Sequence, residues 1–269
     1  MSFEQENIDL NRGHRVRIGL IGKGKTGAVI SKLASDGFKD HSFVIEQCFS
    51  SQNPLNGEGK QKESLKELDV FIDFSIADQV LKHVKIAANF GKPIVIGTTG
   101  WEEKKTTLQK IAKERNVGIL YGANFSVGVN LFFQILKKTA QKLSKWPDYD
   151  PFLYEAHHQF KKDAPSGTAK VAQRILESSY ADRKDSLKNL NIDISCTRAG
   201  FIPGRHLVGF DSEVDQITIQ HEARNREGFA KGALLAAKWI QDKTGYFEFH
   251  EIIDQVCPSN LPRENFKEQ

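Results

Sequence analysis

An apolar strand that runs directly into a glycine turn and then a helix is the feature that most restricts how this chain can fold. From Arg15 to Ile21, Val16, Ile18 and Leu20 alternate. Gly22-Lys-Gly-Lys-Thr-Gly27 follows at once, and Val29, Ile30, Leu33 and Ala34 then recur at helical spacing. Alternation that gives way to helical periodicity across a short glycine loop predicts a strand–turn–helix unit. The pattern repeats. Strands are expected at Phe43 to Phe49, Asp69 to Ser75, Pro93 to Gly97 and Val117 to Tyr121. Helices are expected over Ala77 to Phe90, ended by Gly91, and over Glu102 to Arg115. Strands that alternate with helices build a mostly parallel sheet with right-handed crossovers. Ser50 to Ser64 is polar, with two Gly and one Pro, and reads as a surface loop.

The pattern changes after Asn124. Leu131, Ile135, Leu136, Thr139 and Leu143 predict one long amphipathic helix. Asp150 to Ala156, Ile192 to Thr197 and Gln216 to His221 read as strands. In the last of these, Ile217 and Ile219 alternate with polar neighbours, as in a sheet with one wet face. The long connections suggest an open mixed sheet without hairpins. Phe229, Ala233, Ala236, Ala237 and Ile240 form a closing helical stripe, ended by Gly245, that is expected to return to the first domain. The fold class is α/β, with a Rossmann-like domain interrupted by a smaller α+β domain. The expected boundaries are 1–126, 127–226 and 227–269.

Composition narrows the function. A length of 269 residues fits two domains, and 27% charged residues is ordinary for a folded chain. No apolar run approaches the ~20 residues of a membrane helix. Met1 to His14 is polar, lacks the order of a signal peptide, and reads as a frayed extension. Cys48, Cys196 and Cys257 are scattered and never form a C-x-x-C pair. That argues against disulfides and zinc and for a reducing cytoplasm. A net charge of +4 suits anionic small molecules and gives no clustered stripe for nucleic acid.

Gly22-x-Gly24-x-x-Gly27 stands between a strand and a helix, the context a dinucleotide fingerprint needs. Gly22 permits the turn, Gly24 lets a pyrophosphate approach the backbone, and Gly27 lets helix and strand pack closely. Lys23 and Lys25 add positive charge, and Thr26 completes the loop. The second strand ends Cys48-Phe49-Ser50-Ser51, without the carboxylate that would grip an NAD ribose. Ser50 and Ser51, with Lys60 or Lys62, could take a 2′-phosphate. This points to NADPH, or to use of either nucleotide. Gly97-Thr98-Thr99-Gly100 and Tyr121-Gly122-Ala123-Asn124-Phe125-Ser126 end two further strands of the same sheet, at the crevice where such sheets bind ligands.

The segment Glu155-Ala-His-His-Gln-Phe-Lys-Lys-Asp-Ala-Pro-Ser-Gly-Thr-Ala169 carries the chemistry. His157 and His158 point to opposite faces if extended, so one strand cannot give both the same task. Ser166 is a candidate N-cap, leaving the amides of Gly167 and Thr168 as free donors for an anion. Two histidines, Lys161 and a capped helix form a site for a carboxylate that must receive a proton. Arg198, His206 and Arg226 carry charge whose placement the sequence leaves open. A zinc site is not expected, because no H-x-x-x-H or partner cysteine is near.

These residues resemble the bacterial 4-hydroxy-tetrahydrodipicolinate reductase family. The fifteen-residue run from Glu155 to Ala169 looks like its signature. The glycine loop, Asp69-Val-Phe-Ile-Asp-Phe-Ser75, Val95-Ile-Gly-Thr-Thr-Gly100 and Ala123-Asn-Phe-Ser-Val-Gly-Val-Asn130 are similar to the family's other motifs. The resemblance runs from about Arg15 to about Gly245 and implies NAD(P)H-dependent reduction of a cyclic hydroxy-imine dicarboxylate, in diaminopimelate and lysine biosynthesis. It implies His157 as general acid/base, Lys161 as second proton donor, and His158, Ser166, Gly167 and Thr168 on substrate. It places Gly22 to Gly27, Gly97 to Thr99 and Gly122 to Phe125 on cofactor, and it implies a homotetramer built through the second domain's sheet. Three departures bear on the cofactor: a glycine loop one residue shorter than in many relatives, a short region between the second and third strands, and the missing ribose-binding acid. The alternatives are an amino-acid dehydrogenase of similar plan and a non-catalytic nucleotide sensor.

Overall fold

The computed structural model describes residues 15–38, 42–181 and 192–256; Met1 to His14 and Cys257 lie outside them. The chain divides into two compact units, Met1–Ala123 with Ala230–Gln269, and Asn124–Phe229.

The first unit holds a six-stranded parallel sheet of β1 (Val16–Ile21), β2 (Phe43–Phe49), β3 (Val70–Asp73), β4 (Ile94–Ile96), β5 (Gly118–Tyr121) and β10 (Gly245–Glu248). Its order is β2-β1-β3-β4-β5-β10, with each neighbouring pair parallel. The helices are α1 (Lys25–Ser35), α2 (Gln61–Lys66), α3 (Ala77–Asn89), α4 (Lys105–Arg115) and the latter part of α7 (Glu227–Trp239). β3, β4 and β5 are buried along their whole length, which explains their apolar runs, interrupted only by the buried Asp73 that ends β3. Leu65, Leu68, Phe71, Val80, Val84, Ile94, Leu108 and Ile119 share one core between sheet and helices.

The second unit carries β6 (Asp150–His157), β7 (Ile194–Arg198), β8 (Arg205–Asp211) and β9 (Gln216–Glu222) in the order β7-β6-β8-β9. β6 and β7 are parallel; β6–β8 and β8–β9 are antiparallel. Helices α5 (Val127–Leu143) and α6 (Gly167–Tyr180) join Leu153, Val208 and Phe210 of the sheet in a second core, through Phe132, Leu136, Ala140, Ala169, Ala172 and Leu176.

Four expectations are corrected. Arg205–Asp211 is a strand, so β8 and β9 do form a hairpin, closed by Ser212 N–H to the Asp215 carbonyl. The sequence hides β8 because glycine and arginine flank and interrupt it. Gly245 does not end the last helix, which stops at Trp239; it opens β10 with a φ of +118°, and β10 joins the parallel sheet. Gln61–Lys66, read partly as loop, is a short helix that buries Leu65. The stripe on α5 is also out of phase. Leu131 and Ile135 are 40% and 54% exposed, while Val129, Phe132, Leu136 and Ala140 face the core.

Candidate active site

Strand geometry places Glu155 and His157 on the same face of β6, two residues apart. Cross-strand register adds the rest. Glu155 stands opposite His206 of β8, and His157 opposite Arg198 of β7. Leu153 and Val208 continue that face under the helices, so the site is the polar end of an otherwise apolar layer.

The Glu155 carboxylate is fully buried. Its Oε1 accepts from Arg198 Nη2 at 2.6 Å and from the Ser166 amide at 3.0 Å. Burial drives its pKa up, yet the Ser166 and Arg198 hydrogen bonds outweigh that and lower it to about 2. His157 Nδ1 lies 3.5 Å from Oε2 and His206 Nε2 lies 3.6 Å from it. The two imidazoles meet edge to face with centroids 5.1 Å apart. Burial lowers both pKa values against the pull of Glu155. His206, also facing His157, is pushed down to about 4.

Ser166 does cap α6: its Oγ accepts the Ala169 amide at 3.2 Å and meets His206 Nε2 at 3.1 Å. The first helical bond runs from Lys170 N–H to the Ser166 carbonyl. The Gly167 and Thr168 amides therefore have no acceptor within the helix, and nothing lies within 4 Å of where a Gly167 Cβ would stand. Lys161 Nζ is paired with Asp163 Oδ1 at 2.7 Å, and that hydrogen bond holds the Asp163 carboxyl below its ordinary range. Arg198 Nη2 also donates to the Asp163 carbonyl, tying this loop to the sheet. His158 leaves the strand; its ring lies near Phe160, and its Nδ1 is buried without a partner.

In the sequence Glu155 is only the first residue of the motif, with no role of its own, and Arg198 and His206 cannot be placed. The available signal was the Glu-x-His spacing on a strand, which puts both side chains on one face. No metal site is expected from the sequence. Glu155, His157 and His206 each offer one ligand atom, all within 4.8 Å of one another. Arg198 already supplies the counter-charge to that carboxylate.

The residues expected to meet a nucleotide lie in the first unit up to Ala123, and Asn124 and Phe125 fall in the second. Gly22 has a φ of +103°, and a Cβ there would meet the Phe74 carbonyl oxygen. A Cβ on Gly27 would meet the Gly22 carbonyl oxygen in the same way. Gly24, the N-cap of α1, has nothing within 4 Å of its Cβ position and no side-chain cap. Two glycines are thus demanded by the backbone and the third leaves open space before free helix amides, as a pyrophosphate requires. Lys23 and Lys25 are exposed, and Thr26 is half-buried.

At the ends of β3 and β4, the buried Asp73 carboxylate accepts from Thr98 Oγ1 at 3.0 Å and from the Ser75 amide at 2.9 Å, and meets His83 Nδ1 at 2.8 Å. The Thr98 hydroxyl is therefore engaged by the fold, while Thr99 is exposed. Gly97 is required by the Phe74 ring, which a Cβ would strike. After β5, Gly122 N–H bonds the Ile96 carbonyl, Ala123 is exposed, Asn124 accepts from the Ser126 amide, and Phe125 is buried.

Family models for the dihydrodipicolinate reductase N-terminus and C-terminus match residues 16–125 and 128–253. The 4-hydroxy-tetrahydrodipicolinate reductase of Christiangramia forsetii is 34% identical over 246 residues, covering 90% of this chain and 99% of that one. That of Methanocaldococcus jannaschii is 40% identical over 203 residues, covering 71% and 73%. Among solved structures, dipicolinate-bound dihydrodipicolinate reductase from Paenisporosarcina sp. TG-14 superposes with a TM-score of 0.70 at 21% identity, covering 88% of this chain and 99% of that one. A diaminopimelate dehydrogenase from C. glutamicum superposes at 0.51 with 11% identity, covering 93% and 97%, so the fold is shared beyond the family. Family models across both units and relatives above 30% identity carry one conclusion: the chain belongs to the dihydrodipicolinate reductase family.

Proposed function

We propose that this chain reduces 4-hydroxy-tetrahydrodipicolinate to tetrahydrodipicolinate, with loss of water, in the diaminopimelate and lysine pathway. Family membership across residues 16–253 is the observation that carries this reading. The enzyme is an oxidoreductase, and its pyridine nucleotide supplies the hydride. Substrate loss of the hydroxyl leaves a conjugated imine, and reduction moves negative charge towards the far end of that system. His157 gives the proton there, and Lys161 lends positive charge once substrate competes with Asp163. The Gly167 amide, Thr168 and His158 hold carboxylates, with Ser166 keeping the helix end in place.

NADPH, or both nucleotides, is the proposed reductant. Phe49 closes β2 beside the glycine loop, its carbonyl accepting the Gly22 amide at 2.9 Å. Ser50 and Ser51 follow, where an NAD-specific site carries an acid. A homotetramer in the cytoplasm completes the proposal. One sheet face, bearing Phe152, Thr218 and Gln220, is exposed in the single chain, and no described helix is long and apolar enough to cross a membrane.

The test couples purified protein to a synthase that generates the hydroxy-imine and follows nicotinamide absorbance with NADH and with NADPH. Substrate-dependent oxidation is expected. Oxidation only in the presence of an open-chain oxo acid and ammonia would favour an amino-acid dehydrogenase, and none with either nucleotide would favour a sensor.

A further inference from the structure

The fold satisfies one oxygen of Glu155 and leaves the other open. Oε1 takes the Ser166 amide and the Arg198 guanidinium. Oε2 is buried with no hydrogen-bond partner, and so is Nδ1 of His157, 3.5 Å away. An unsatisfied buried donor or acceptor carries an uncompensated desolvation penalty. A small tilt of the imidazole joins the two and removes both penalties. The opposite edge of the ring faces Gly204, where a Cβ would stand 3.3 Å from Nε2. Gly204, with a φ of +143°, keeps that edge clear.

The charged and titratable groups around His157 come from every neighbouring element: Glu155 on β6, Arg198 on β7, His206 on β8, and Lys161 and Asp163 on the loop before α6. Only Glu155 and Asp163 favour an imidazolium, and Asp163 is engaged by Lys161. Glu155 is thus the group placed to govern the ring.

Building on the reductase reading, we propose that Glu155 is a positioning residue for the proton donor. Its Oε2 fixes the Nδ1–H tautomer of neutral His157 and aims Nε2 at the substrate. In the charged ring both nitrogens carry protons. The Nε2–H bond breaks, that proton passes to the substrate atom bearing the developing charge, and Nδ1–H remains on Glu155. His206, held by Ser166 Oγ at 3.1 Å, walls the carboxylate from its other side.

The test is nitrogen-15 NMR of the imidazoles in the full-length protein, with the His157 signals identified by their absence in His157→Gln. The neutral ring is expected as the Nδ1–H tautomer; an Nε2–H tautomer overturns the proposal. In steady-state assays Glu155→Gln should lower kcat by about 10²-fold or more, with KM for the nucleotide unchanged. The alkaline limb of its kcat profile should move down by about one pH unit, because the carboxylate no longer favours the protonated ring. Glu155→Asp should restore part of that movement. A rate lowered equally at every pH would make Glu155 merely structural and overturn the proposal. Should Glu155→Gln fail to fold, the wild-type tautomer still decides. Wild-type protein with the expected tautomer but no reductase activity would instead defeat the reading of the reaction.

Discussion

As the proposed proton donor, His157 must be acidic enough to release a proton yet basic enough to hold one. Burial makes it a stronger acid, and Glu155 opposes that. Removing a positioned acid typically costs ~10²–10⁴ in rate. His157→Gln is therefore expected to lower kcat by that order while nucleotide affinity, measured by titration, barely moves; wild-type turnover would take His157 out of the mechanism. Lys161→Ala should also cripple reduction, because Asp163 then keeps its charge while the substrate loses its cation.

The same residues tie stability to pH. Folded His206 is pushed down from 6.5 to about 4, so it binds a proton less readily than in the unfolded chain. The stability it contributes is complete above about 6.5 and lost as pH falls towards 4. Glu155, lowered from 4.5 to about 2, contributes stability that is complete above 4.5 and lost as pH falls towards 2. Each pH unit inside a window is worth about 1.4 kcal/mol per group. Urea midpoints should start to fall below about pH 6.5 and go on falling below 4.5. A midpoint flat from pH 7 to 5 would contradict the buried neutral His206.

Among elements, the two helix N-termini do related work by different means. α6 begins with a side-chain cap, so Ser166→Ala should cost about 1 kcal/mol of stability in denaturant unfolding. It should also raise KM for the dicarboxylate, since the same turn presents the Gly167 and Thr168 amides. α1 begins with Gly24, whose φ of −72° suits any residue and whose Cβ position is open. Gly24→Val should thus leave the fold intact, within about 1 kcal/mol, and abolish nucleotide binding by filling the pyrophosphate's space. Undiminished NADPH titration would refute that role. Gly27→Ala makes the contrast, because its Cβ would stand 2.1 Å from the Gly22 carbonyl oxygen.

The whole molecule carries two kinds of sheet for two kinds of task. The central strands β3, β4 and β5 of the first unit's parallel sheet are buried along their whole length, and the loops at its strand ends are where nucleotide binding is proposed. The mixed sheet of the second unit covers one face with α5 and α6 and carries His157, the proposed proton donor, at the edge of that face. Its other face, with Phe152 37% exposed, is where association between chains is proposed. Light scattering at assay concentration should give four times the chain mass; a monomeric mass with full activity would remove the tetramer.

The sequence alone determined the parallel sheet, because buried β3, β4 and β5 must be largely apolar runs and glycine must stand where a Cβ strikes backbone. It also announced the N-cap at Ser166, since such chemistry is local. It could not announce β8 or β10, whose residues are ordinary outside their sheets, nor the phase of α5, where Leu131 and Ile135 suit a helix stripe yet face outward. Above all, strand register alone decided that Arg198 and His206, 41 and 49 residues after His157 in the chain, surround Glu155. Periodicity encodes which face a residue takes; only the pairing of distant strands fixes which residues share it.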